Sequence, residues 1–64
     1  MSQITIKRVS YGKDDTPEED REYKLIQGSP VGTVNDWTDF AKKNDFERIK
    51  IIEKDGSETM KEVA

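Results

Sequence analysis

DWTDFAKKNDFERIKIIEKDG, residues 36–56, holds the only tryptophan, both phenylalanines and the densest run of isoleucines in the chain. Its first half spaces apolar residues as a helix does and its second half as a strand does, so its reading decides the fold. Just upstream, Thr33, Val34, Asn35 and Asp36 have the spacing of a capping box, with Asp36 in the usual glutamate position. Asp36 and Asp39 lie toward the positive end of the helix dipole, and Lys42 and Lys43 toward the negative end. Together these features predict a helix over about 34–43, with Asn44 as a left-handed stop. Val34, Trp37, Phe40 and Ala41 fall within roughly a third of the helix circumference and read as one buried stripe. After Phe46, residues 47–54 alternate as a strand does. Ile49 and Ile51 point one way; Arg48, Lys50 and Ile52 point the other.

Working outward, residues 2–10 also alternate, with Ile4 and Ile6 opposite Thr5 and Lys7. Val9 and Tyr11 then fall on the second side, so this strand is expected to bend, bulge or present apolar surface on both faces. Residues 22–27 make a second strand, with Tyr23 and Leu25 on one face and Ile26 on the other. The simplest arrangement of these two strands is an antiparallel hairpin with a long loop. Residues 28–32, GSPVG, read as a connector whose glycines and proline set turns. Asp55-Gly56 is the dipeptide favoured in tight hairpins, so the tail, 57–64, either frays or folds back as a short further strand. Of the registers that such a hairpin allows, the favoured one pairs Ile52 with Met60, Lys50 with Glu62 and Ile49 with Val63. The expected fold is therefore a single small α+β domain over residues 1–64, with order β-β-α-β(-β). Its three- or four-stranded sheet carries one helix on one face. Ile4, Ile6, Tyr23 or Leu25, Ile49 and Ile51 form the covered sheet surface.

Composition narrows the function. The 64 residues are 39% charged and 31% hydrophobic, and they include neither cysteine nor histidine. Disulfides and thiolate metal sites are thereby excluded, as are the commonest general base and metal ligand. Serine has no histidine to activate it, and a chain this short is poorly placed to enclose a substrate cavity. The reading is a protein that is not an enzyme and uses no cofactor. No apolar run approaches the length of a membrane span and no secretory signal precedes the first strand, so a soluble, cytoplasmic protein is expected.

The net charge is −3, and it resides in one segment. Residues 12–21 carry Lys13 and Arg21 against Asp14, Asp15, Glu18, Glu19 and Asp20, whereas the remaining charges balance. One reading is a solvated loop between strands. The functional reading is an acidic finger that docks on a basic surface of a larger protein. The adjacent acids and the proline of DDTPEED do not match a calcium loop, so no metal is expected. Lysine and arginine form no stripe interleaved with aromatics, which argues against direct nucleic-acid binding.

The candidate partner-binding residues are thus Asp14, Asp15, Glu18, Glu19 and Asp20 in the acidic loop, with Ile52 and Tyr11 on the second sheet face. That face, carrying Ile26 and Val9 as well, would serve a larger protein partner or, as the alternative, a homodimer of this chain. Open sheet edges offer a further route to pairing. The strand, loop, strand, helix, strand order and the acidic character are similar to small phage-encoded inhibitors that occupy host RNA polymerase or uracil-DNA glycosylase. The likeness is one of architecture and carries over no residue.

Overall fold

A computed structural model describes residues 2–9 and 17–63 of the chain. Among these residues five strands and one helix follow in the order β1 (Gln3–Arg8), β2 (Tyr23–Leu25), β3 (Val31–Gly32), α1 (Val34–Lys43), β4 (Arg48–Ile52) and β5 (Glu58–Glu62), with a 3-10 turn at Glu18–Asp20 before β2. The strands form one sheet in the order β3-β2-β1-β4-β5. β1 and β4 run parallel at its centre, and every other pairing is antiparallel. The fold is α+β, with a strand more than the sequence reading allowed. The additional strand, β3, lies within the stretch read as a connector, where two residues give too little alternation to register as a strand.

The helix begins and ends where its sequence dictates. Thr33 and Asp36 exchange the two capping-box hydrogen bonds, at 3.2 and 3.0 Å. Asp36 also packs so closely over Gly32 that a Cβ there would meet the aspartate Cβ at 3.0 Å, which explains a glycine at the end of β3. At the other terminus the left-handed residue is Asp45, with φ 61°, rather than Asn44, whose φ is −110°. The Phe46 amide bonds back to the Ala41 carbonyl at 2.9 Å and the Asp45 amide to the Lys42 carbonyl at 3.4 Å, the pattern of a Schellman motif. The ring of Phe46 stacks on Phe40 at 6.4 Å, supplying the hydrophobic clasp that accompanies this motif.

That clasp corrects one expectation. Phe40 is 38% exposed and lies at the margin of the helix stripe, while Val34, Trp37 and Ala41 are buried. The core joins these three to Ile4, Ile6, Tyr23, Ile49, Ile51 and Val63, with Leu25 and Phe46 packed against them. Fully burying each large aliphatic side chain contributes about 1.5 to 3 kcal/mol, and the central pair of strands holds four of them, Ile4, Ile6, Ile49 and Ile51. The Trp37 indole N–H donates to the Tyr23 carbonyl at 2.8 Å, tying the helix to β2.

The C-terminal strand corrects a second expectation. The tail does fold back, but Ile52 pairs with Glu58, Lys50 with Met60 and Arg48 with Glu62, a register two residues away from the favoured one. The loop decides it. Gly56 adopts φ 89°, and the Asp55 carboxylate accepts from both the amide and the hydroxyl of Ser57 at 2.9 and 2.7 Å. These bonds hold the Asp55 carboxyl below its ordinary range. Backbone closure then falls between Glu53 and Ser57 at 2.9 Å, leaving three residues in the turn. In this register Lys50 reaches Glu58 and Arg48 reaches Glu62, both at 2.9 Å, and Val63 drops into the core.

Candidate docking surface

The helix covers one face of the sheet, and among the described residues no second layer covers the other. On a strand successive side chains alternate between faces, and the register aligns the outward ones into rows. Val31, Lys24, Lys7, Ile52 and Glu58 are successive partners across all five strands. A second row contains Thr5, Lys50 and Met60, with Ile26 at its far end, where its amide bonds the Thr5 carbonyl at 3.2 Å. Gln3, Arg48 and Glu62 make a third. Cations therefore occupy the middle of the open face, and apolar side chains flank them. Ile26, Val31 and Met60 are each at least half exposed, and Ile52 is half-buried.

The cations fall into two kinds. Arg48 and Lys50 lie beside the carboxylates of β5. Lys7 and Lys24 instead face each other across β1 and β2, a like-charge pairing that opposes the sheet, and no described carboxylate forms an ion pair with either. At the end of the same two strands lies an apolar groove of about 350 Å³, lined by Ile4, Leu25, Ile26, Phe46 and the polar Gln3 and Gln27 among others. Ile26 belongs both to this groove and to the open face, so the two surfaces are continuous.

A second polar cluster closes the opposite end of the sheet. Arg8 shares the parity of Ile4 and Ile6, and so it enters the covered side, where it is 6% exposed. The Glu53 carboxylate, just beyond β4, accepts from the Tyr23 hydroxyl at 2.5 Å and lies 3.5 Å from Arg8 and 3.6 Å from Arg21. Burial, and next the carboxylate that it bonds, push the Tyr23 phenol up to about 12, while Arg21 pulls the other way. Acid-base catalysis requires a group tuned toward neutrality, and this tyrosine is tuned away from it. The cluster is a tie that joins β1, β2 and the end of β4.

The sequence-derived candidates separate in the structure. Asp14, Asp15 and Tyr11 lie outside the described residues. Glu18, Glu19 and Asp20 form the 3-10 turn, held by the Asp20 amide on the Pro17 carbonyl at 2.9 Å, and this turn packs beside α1 rather than near the open face. Glu19 and Asp20 are exposed. Ile52 stands on the open face as expected. Sequence reasoning did not find the Lys7 and Lys24 pair, Val31, or the tie through Arg8 and Glu53. Arg8 was accessible by parity alone; the lysine pair required the register of β1 against β2, which a long intervening loop leaves unspecified.

Comparison with known proteins gives no match: no family model, no curated protein and no solved structure is significantly similar to the chain. No helix among the described residues is long and apolar enough to cross a membrane.

Proposed function

We propose that this protein is a non-enzymatic interaction module of the cytoplasm that docks on a larger protein through its uncovered sheet face. The observation that carries this reading is the open face itself, where Ile26, Val31, Ile52 and Met60 surround a cationic centre and merge with the groove. Exposed apolar surface grouped in this way has a cost in solubility that a docking role accounts for. The absence of cysteine and histidine and the character of the Tyr23 cluster both support a role without catalysis.

The acidic turn Glu18–Asp20 contributes a second docking element in this reading, on the side of the helix, and an inhibitor of a host nucleic-acid enzyme would use such an element. A homodimer formed by two open faces is the competing version, favoured by the same apolar residues but opposed by the like charges that two cationic centres would bring together.

The test is affinity capture from lysate of the cells that make the protein, with bound proteins identified by mass spectrometry. Three forms are compared: wild type, Ile52→Lys, and a variant with Glu19 and Asp20 neutralised. The expected result is one stoichiometric partner that is lost with Ile52→Lys and weakened, but still captured, with the other variant. Recovery of only the chain itself would replace the reading with self-association. A partner lost solely on neutralisation would transfer docking to the acidic turn.

A further inference from the structure

We infer that the segment received by the open face is an acidic stretch of polypeptide with a large apolar side chain close to its acid; this inference rests on the docking reading. Arg48 and Lys50 are already matched by Glu62 and Glu58, so the charge left for a partner to match is that of Lys7 and Lys24. These two lysines are directly opposed across antiparallel strands. A carboxylate placed between them would remove a repulsion that the free protein bears, and binding would be strengthened by that relief.

Other polyanions fit less well. None of the outward strand positions among the described residues is aromatic, so the strands offer successive bases no row of rings to stack on. Glu58 and Glu62 offset Lys50 and Arg48, so the face offers an anionic membrane only the charge of two lysines, fewer than the roughly four to eight of a membrane-binding basic cluster. A polypeptide satisfies both halves of the surface. The groove residue Ile26 directly follows β2, where its amide still bonds the Thr5 carbonyl, and lies two positions from Lys24, about 7 Å along an extended chain. An extended segment would therefore carry its acid and its apolar anchor two positions apart.

The experiment is selection from a random peptide library on the intact protein at physiological salt. Enriched peptides are then titrated into ¹⁵N-labelled wild type, Lys7→Glu/Lys24→Glu and Lys7→Arg/Lys24→Arg. The expected outcome is acidic peptides with the two-position spacing, amide shifts centred on Lys7, Lys24 and Ile26, and binding about tenfold weaker or worse in the glutamate variant but kept in the arginine one. Neutral or basic peptides that shift the same amides would overturn the acidic partner and leave the docking reading standing. Peptides that map elsewhere would overturn both. Tighter binding of a short single-stranded DNA or of phosphatidylserine vesicles, measured alongside, would overturn the polypeptide assignment.

Discussion

The two faces of the sheet are built from alternate residues of the same strands, yet they differ in nearly every physical respect. Beneath the helix, Ile4, Ile6, Ile49 and Ile51 are almost wholly removed from water, and the single buried arginine is held by Glu53. On the open face the neighbouring residues Thr5, Lys7, Lys50 and Ile52 remain at least partly exposed, and two lysines oppose each other. The covered face is apolar packing around one arginine, which has a carboxylate partner in Glu53. The open face retains a local conflict, and such a conflict in an otherwise consistent fold points to function.

The sharpest way to break this contrast is to truncate one residue on each side of β4. Ile49→Ala should cost about 2 to 5 kcal/mol, enough to leave so small a domain largely unfolded, because the side chain is fully buried. Ile52→Ala, three positions along and on the open face, should stay within about 1 kcal/mol. Urea denaturation followed by Trp37 fluorescence measures both. Similar losses at the two sites would remove the distinction between a structural and a spare face.

The next effect concerns the polar tie. With a Tyr23 phenol raised to about 12, the folded state holds its proton more tightly than the unfolded chain, whose tyrosine titrates near 10. The contribution is complete below the unfolded value and is lost as pH rises from about 10 to 12, on the order of 3 kcal/mol. Tyr23→Phe should abolish this alkaline loss and cost roughly 1.5 to 3 kcal/mol at neutral pH, through the bond that it removes from Glu53. Thermal melts across the pH range read both. A wild-type melting temperature that does not fall between pH 10 and 12 would separate Tyr23 from the stability of the fold.

Smaller effects sharpen the comparison at the boundary between the faces. Phe40→Ala should cost only about 1 to 2 kcal/mol, since its ring clasps Phe46 at the helix terminus rather than filling the core. Asp45→Gly should stabilise the domain by up to about 1 kcal/mol by relieving a left-handed non-glycine residue. A loss of stability in that variant would show that the aspartate side chain makes its own contribution.

The sequence was most legible where local chemistry and periodicity agreed. The helix bounds, the capping box and the inward isoleucines of β1 and β4 all follow from residue spacing, and the structure has them. Legibility failed where distant segments, or local side-chain bonds that periodicity does not register, set the outcome. The turn at Asp55 and Gly56 was identifiable, but which way the strand slipped depended on the Asp55 bonds to Ser57. Phe40 has the spacing of a core residue, and only the return of Phe46 to the helix end draws it to the rim. The candidate surface was half visible: Ile26 and Ile52 could be assigned to the second face, while the convergence of Lys7 and Lys24 depends on strand register across the long connection.

The most direct test of the central claim is a shift map of the ¹⁵N-labelled protein bound to its tightest library peptide. The account expects changes at Lys7, Lys24, Ile26 and Ile52, with Asp39, Lys42 and Lys43 on the exposed side of the helix unmoved. Shifts concentrated on the helix, with the open-face amides silent, would contradict it.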